Sequence, residues 1–294
     1  MKALFLLFLL VLATGRLAWA AEPPAYSRSE VIYGRKFGTA LTLDVFQPRV
    51  TNGYGLIAVI SGGFFSSHDG INPGSLKPFL DRGYTVFAVV HGSQPRFIIP
   101  EIVEDLHRSV RWMRNHAPEY GIRPDRLGIF GGSAGGHLSL AMGTQGKPGS
   151  ADAKDPVDRE SSAVQAVACF FPPTDYCNWR EPGDDAVGVG VLKDFKPAFG
   201  SRSDTAESRA VYGREISPVN FVTVGLPPTF IIHGAADKLV PIYQAEIFLK
   251  KCQDVGVTAP VKLDRRPGKD HGWAGMDQDL GLFADWFDVQ LRRL

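Results

Sequence analysis

The chain has 294 residues, 44% of them hydrophobic, and 32 Lys and Arg stand against 31 Asp and Glu for a formal net charge of +1. That apolar share and balanced charge exclude a disordered chain, and the lack of a basic excess to neutralise phosphates argues against a general nucleic-acid binder. Three cysteines cannot build a disulfide scaffold, and the length allows one large α/β domain or two small ones around a sizeable core.

Residues 1–20 read MKALFLLFLLVLATGRLAWA. Lys2 supplies a positive start, an almost wholly apolar run follows, and Ala18-Trp19-Ala20 forms a small-residue cleavage site, so a cleaved signal peptide and export are expected. The apolar run is short for a membrane span, which takes about 20 residues, and no membrane anchor is expected after cleavage. No Cys follows the site, so a lipoprotein is not indicated. Removing Lys2 and Arg16 leaves 30 basic against 31 acidic residues, a net charge of −1 over 294 − 20 = 274 residues. Export makes disulfides possible. A Cys169–Cys177 bridge is conceivable, and three free thiols, with Cys252 alone in a helical segment, fit at least as well.

After residue 28 the pattern alternates strand and helix. Strands are expected at 31–35, 41–46, 56–61, 85–91, 127–131, 163–171, 229–233 and 261–265. The segments from Leu56, Thr85, Leu127 and Thr229 are short continuous apolar runs, as in strands buried on both faces. Ile102, Leu106, Val110 and Met113 recur at helical spacing, as do Leu280, Phe283, Phe287 and Leu291. Such alternation implies parallel βαβ units in a sheet covered on both sides. Residues 145–160 read as a surface loop. Residues 172–226, rich in Pro, Gly and charge, read as an insertion after the sixth strand, and an irregular stretch of that length is usually functional or partly structured. No linker splits the chain, so one domain over 21–294 is expected.

The fifth strand runs into Gly131-Gly132-Ser133-Ala134-Gly135, a G-x-S-x-G in strand–turn–helix context. A nucleophile on a sharp turn has strained backbone angles, and bulky residues two positions either side would collide. The helix that follows favours negative charge developing at the hydroxyl. A Gly-rich turn with a capping Ser would share the bare motif, but its place after the fifth strand favours a nucleophile. A Ser hydroxyl needs a base. His271, in the loop between the last strand and the last helix, can reach the top of the sheet. His233, at the end of the seventh strand, reads as orienting the acid loop, His91 as a pocket-lining residue, and His137 as packing near the site. Asp237, just past the seventh strand, is the orienting acid, although a helix cap would also account for it. Ala134 supplies one backbone N–H for an oxyanion hole, and Gly63 and Phe64, in the Gly-rich loop after the third strand, supply the rest. Phe65 is expected to line the pocket.

The order Ser133…Asp237…His271 is that of an α/β-hydrolase, and from Tyr54 onward the chain resembles the esterase/lipase type. GGSAGGHL (Gly131–Leu138) resembles the elbow of hormone-sensitive-lipase-like carboxylesterases and their secreted relatives. Those relatives include bacterial feruloyl and acetylxylan esterases, to which EYGIRPDRLGIFGGSAGG (Glu119–Gly136) is very similar. PPTFIIHGAADKLVP (Pro227–Pro241) is similar to that family's acid loop and DHGW (Asp270–Trp273) to its base loop, which implies the acid and base roles for Asp237 and His271. The chain departs where the family usually has His-Gly-Gly-Gly: here Ser61-Gly62-Gly63-Phe64 stands, with Ser61 expected to anchor the loop by a hydrogen bond.

The expectation is therefore an α/β-hydrolase with a mostly parallel eight-stranded sheet and an exported serine hydrolase acting on carboxylic esters without metal or cofactor. The resemblance suggests acetyl or feruloyl esters, free or linked to plant polysaccharide. A prolyl-oligopeptidase-like peptidase shares the triad order, but the chain shows no propeller and Ala134 stands where those enzymes commonly carry Tyr. A non-catalytic binding protein on this fold usually loses a triad member.

Overall fold

The eight expected strands all form and lie in one sheet in the computed structural model, which describes residues 25–293. The expected signal segment 1–20 lies outside the described residues. The strands are β1 (Tyr26–Lys36), β2 (Thr39–Pro48), β3 (Gly55–Val59), β4 (Thr85–Val90), β5 (Leu127–Gly132), β6 (Ala166–Phe170), β7 (Thr229–Gly234) and β8 (Val261–Arg266). Their order is β1-β2-β4-β3-β5-β6-β7-β8. From β4 to β8 the pairs are parallel, while β2 runs antiparallel to β1 and β4. β3, β6 and β7 are buried along their whole length, which is what their unbroken apolar runs require.

Helices cover both faces. α1 (Pro73–Leu80) and α7 (Met276–Arg292) bury Leu76, Phe79, Phe283 and Phe287 on one side. α2 (Ile99–Asn115), α3 (Ala134–Gln145) and, beyond the insertion, α6 (Tyr243–Val255) bury Leu106, Leu138 and Phe248 on the other. The two expected apolar stripes are the buried faces of α2 and α7. The chain winds from β3 to β4 in one direction and then to β5 in the other. The crevice at the carboxyl ends of β3 and β5 is thus a topological switch point, where open α/β sheets bind ligands.

Two strand ends differ from expectation for identifiable reasons. β6 starts at Ala166 rather than Ala163 because the Arg114 guanidinium takes the carbonyls of Ser161 and Ala163 at 3.1 and 2.6 Å. β3 stops at Val59 rather than Ser61 because the Ser66 hydroxyl donates to the Ile60 carbonyl at 2.6 Å and turns the chain. Within 145–160, Pro156–Arg159 form a short 3₁₀ turn pinned by Arg108 through Asp155 and Asp158. Cys169, Cys177 and Cys252 are all free. The conceivable Cys169–Cys177 bridge does not form, since Cys169 is buried in β6 while Cys177 faces the Ala210 carbonyl.

The insertion is structured. It carries α4 (Lys196–Phe199), α5 (Ala206–Ile216) and several 3₁₀ turns. Tyr176, Trp179, Phe199 and Tyr212 are fully buried and join the α2/α3 core. One α6 side chain fastens its start. The Gln244 carbonyl oxygen accepts the N–H groups of Thr174 and Asp175 at 2.9 and 2.7 Å, and its amide donates to the carbonyls of Asn178 and Trp179 at 2.9 and 2.8 Å. Gln244 is 0% exposed, so no water replaces these bonds if the side chain is lost. Gln244→Leu strands four backbone groups and should cost roughly 3 kcal/mol or more. An unchanged urea unfolding midpoint for that variant would contradict this.

Candidate active site

Ser133 sits between β5 and α3 with φ 54° and ψ −120°, a conformation that L residues rarely adopt. The turn is tight enough that a Cβ at Gly131 would lie 2.6 Å from the Gly135 carbonyl, and one at Gly135 would lie 2.8 Å from the Val59 carbonyl. Only glycine fits either place. Ser133 is held from both sides: its N–H donates to Phe170 O at 3.0 Å, and its carbonyl accepts the His137 N–H at 2.9 Å.

The structure brings Ser133, Asp237 and His271 together. His271 Nε2 is 3.0 Å from Ser133 Oγ, and His271 Nδ1 is 2.7 Å from Asp237 Oδ2. With the Nδ1 proton donated to the carboxylate, Nε2 is left to accept the hydroxyl proton. Asp237 Oδ1 accepts the N–H groups of Leu239 and Val240, both at 2.9 Å. Burial alone would raise the Asp237 pKa. The His233 and His271 rings, with the Val240 N–H, outweigh it and hold the group down to about 2. His233 donates from Nε2 to Val240 O at 2.8 Å and stands 3.6 Å from Asp237 Oδ2, too far for a hydrogen bond, so it acts there through its field. Asp270, which the sequence left without a role, ties the two loops together: its Oδ1 accepts the N–H groups of Lys238 and His271. The Phe171 ring packs 4.3 Å from the imidazole of His271.

The loop after β3 closes as a tight turn. Phe65 N–H donates to Gly62 O at 2.9 Å and Gly62 N–H to Phe65 O at 3.0 Å. Gly63 and Phe64 sit at φ 54° and 66°, the pair of positive angles that marks a type I′ turn. Among the described residues no acceptor takes the N–H of Gly63, Phe64 or Ala134, and all three residues line one cavity with Ser133. The anchor of this loop differs from expectation. Ser61 Oγ is buried without a hydrogen-bond partner. Ser66 holds Ile60 O, and Gln94 takes the carbonyls of both Gly63 and Phe64. Phe65 is 54% exposed and His91 is buried, and neither lines the cavities beside Ser133. Phe65 is turned out by the hairpin it closes, and the His91 ring is turned to the Gly92 carbonyl at 2.7 Å.

Two cavities meet at Ser133. One is narrower, apolar and small, about 30 Å³, lined by Phe64, Ala134, Tyr176, Leu192, Phe195 and Phe199 among others. The other is an open groove of about 370 Å³ between the ends of β3 and β5 and helices α1 and α7, with Asn72, Ser75 and Asp277 along its wall. Glu30, Asp44 and His68 form the one carboxylate–imidazole group among the described residues that could converge on a metal. It lies at the β1/β2 edge, where Arg28 neutralises Asp44 and Thr42 Oγ1 holds His68 Nε2 at 2.7 Å.

The BD-FAE family model matches residues 43–252, a span that ends before His271. A probable carboxylic ester hydrolase, LipM of Mycobacterium tuberculosis, is 29% identical over 83% of this chain and 56% of its own length. The esterase LipQ of the same organism is 28% identical over 67% of this chain and 45% of its own. The chain thus spans about half the length of the curated relatives it matches. Among solved structures, a truncated carbohydrate esterase from gut microbiota superposes with a TM-score of 0.76 at 25% identity, covering 91% of this chain and 98% of the other. An acetyl ester-xyloside bifunctional hydrolase from Caldicellulosiruptor lactoaceticus gives 0.74 at 22% identity over 89% and 96%. The fold is that of the α/β-hydrolase esterases.

Three imidazoles are buried: His91 just past β4, His107 within α2 and His137 in the first turn of α3 beside Ser133. Burial pushes His91, His107 and His137 down to about 4, with nearby Lys36 adding to the effect on His91 and Lys147 on His107. Unfolded histidines titrate near 6.5. Between pH of about 6.5 and about 4 the unfolded chain therefore binds protons that the native state refuses, so stability is full above that window and falls as the pH drops through it. The urea midpoint should decline steeply from pH 7 to pH 4.5, and a flat midpoint over that range would show that the three rings are not buried neutral.

Proposed function

The chain belongs to the BD-FAE family, and from that premise we propose that it is an exported serine carboxylic-ester hydrolase for short acyl esters. The observation that carries this reading is the relay from Ser133 Oγ through His271 to Asp237, at 3.0 and 2.7 Å. In this reading Ser133 Oγ attacks the ester carbonyl while its proton passes to His271 Nε2. Asp237, kept ionised at any working pH, stabilises the imidazolium. The tetrahedral oxygen takes its hydrogen bonds from the N–H groups of Gly63, Phe64 and Ala134, which no acceptor among the described residues occupies. His271 then returns the proton to the leaving alcohol oxygen as the C–O bond breaks. Water, deprotonated by the same imidazole, hydrolyses the acyl-enzyme and regenerates Ser133.

The cavity sizes divide the substrate. The cavity beside the three N–H groups, about 30 Å³ against about 370 Å³ for the groove, is the tighter and more apolar of the two. The acyl group we assign there is acetyl rather than feruloyl. The open groove with its polar wall takes the alcohol side, where a sugar would fit. The carbohydrate esterase among the structural neighbours supports the same class of alcohol. The 172–226 insertion acts as a fixed roof, since Tyr176, Leu192, Phe195 and Phe199 all come from it. The N-terminal 20 residues, with their Ala-Trp-Ala site, support export.

Purified protein should hydrolyse p-nitrophenyl acetate faster than the butyrate and leave methyl ferulate largely untouched, with acetylated xylan as the polymeric test. Ser133→Ala should lower ester turnover by about 10⁴-fold or more. Cleavage of a Pro-containing peptide anilide without any ester turnover would overturn the reading in favour of a peptidase. Leu192→Ala should widen the smaller cavity for two more methylenes, each worth about 0.8 kcal/mol. The butyrate-to-acetate ratio of kcat/KM should then rise roughly tenfold, and an unmoved ratio would place the acyl chain in the open groove instead.

A further inference from the structure

We propose that Gln94, in the loop between β4 and α2, is a positioning residue that keeps the Gly63–Phe64 peptide turned so that its N–H faces Ser133. The inference rests on the esterase reading for its consequence, but its geometry stands apart. In a trans peptide the C=O and N–H point in opposite directions. Whatever fixes the Gly63 carbonyl therefore fixes the Phe64 N–H. Gln94 Nε2 donates to that carbonyl at 2.6 Å, and Gln94 N–H donates to the next one, Phe64 O, at 3.2 Å. The Gln94 residue is 3% exposed, so water does not compete for these bonds. The Gly63 N–H needs no such help, because the Gly62 carbonyl on the far side of its peptide already accepts Phe65 N–H at 2.9 Å.

The lock has something to resist. Phe64 is a bulky residue at φ 66°, where an L side chain is strained. Rotating the Gly63–Phe64 peptide by half a turn converts the I′ turn into II′, which asks for positive φ at Gly63 only and lets Phe64 relax. That flip would remove one donor from the proposed oxyanion site and aim the Gly63 carbonyl oxygen at it. Phe64 is also pinned at its ring, which meets His137 and Phe199 at 5.6 and 6.5 Å between centroids, so the backbone and not the side chain is free to turn. Ser61, at the start of the loop, offers no competing anchor because its hydroxyl has no partner.

The test uses Gln94→Met, which keeps the volume and removes the donor, and Gln94→Glu, which keeps the shape and donates only when protonated. Both are measured with Ser133→Ala in parallel. For Gln94→Met the expected result is a kcat on p-nitrophenyl acetate about 100- to 1000-fold below wild type, in line with loss of one oxyanion donor, with KM within about threefold and melting temperature nearly unchanged. For Gln94→Glu the ratio of its kcat to that of wild type should climb as the pH falls from 8 to 5, since the neutral acid can donate to Gly63 O. A crystal structure of Gln94→Met should show the Gly63–Phe64 peptide flipped. An unflipped peptide in that structure, or kcat within twofold of wild type while Ser133→Ala is dead, overturns the assignment of Gln94 and leaves the esterase reading intact. A wild type without ester turnover overturns the esterase reading alone, because the crystal structure still decides how Gln94 holds the turn.

Discussion

The site depends on one contact between backbones. Gly131 at the end of β5 lies directly against Gly135 in the first turn of α3, and Gly135 in turn lies against the Val59 carbonyl at the end of β3. No side chain separates these three elements. The closeness forces Ser133 into its unusual angles and delivers the Ala134 N–H, at the positive end of α3, to the same point as the loop that leaves β3. Strain of this kind persists only where the surroundings over-determine it. Here a ladder of buried parallel strands on either side and the Ser133–Phe170 and Ser133–His137 bonds do so.

Asp237 and His271 are held by a different principle, satisfied polar groups rather than close packing. Asp237 is buried, so its charge survives only because four groups converge on it: two backbone N–H groups, the His271 ring and the field of His233. The two loops that carry acid and base could drift, since neither is part of the sheet. Asp270 prevents this by accepting one N–H from each loop. The buried aromatic Phe171 then closes one face of the imidazole. A rigid strained turn thus meets a pair of loops stapled by hydrogen bonds, and Ser133 Oγ lies where they join.

The strands and the long helices were legible in the sequence because burial on both faces and helical spacing leave patterns in a single chain: every expected strand appears, most within a few residues of its expected ends. That Ser133, Asp237 and His271 would come together was legible because their positions after β5, β7 and β8 follow from the strand count. The anchor of the loop after β3 was not. Ser61 stands where a histidine usually anchors such a loop, which pointed to Ser61 as the anchor, yet the holding bonds come from Ser66 and from Gln94, thirty residues on. His91 was misplaced for a related reason: the end of a strand predicts nearness to the crevice but not which way a ring turns once a neighbouring carbonyl is available. Gln244 carries no motif at all. A buried amide that satisfies four backbone groups of a distant insertion is visible only when the chain is folded.

The insertion shows how little of the chemistry the sheet itself decides. The scaffold supplies Ser133, Ala134, Gly63 and Phe64 to the smaller cavity, while Tyr176, Leu192, Phe195 and Phe199 come from residues 172–226. The ring of Phe195 lies so close over Gly63 that a Cβ there would be 2.5 Å from it. The same insertion side chains are therefore both core and cavity wall. Tyr176 and Phe199 are fully buried, so enlarging the cavity by trimming either would also remove core contacts. Leu192 is a buried core residue and Phe195 is only half-buried, so of these four wall side chains Phe195 is the one the core depends on least. The width of this cavity is thus coupled to the stability of the insertion, and the coupling is weakest at the position nearest the surface.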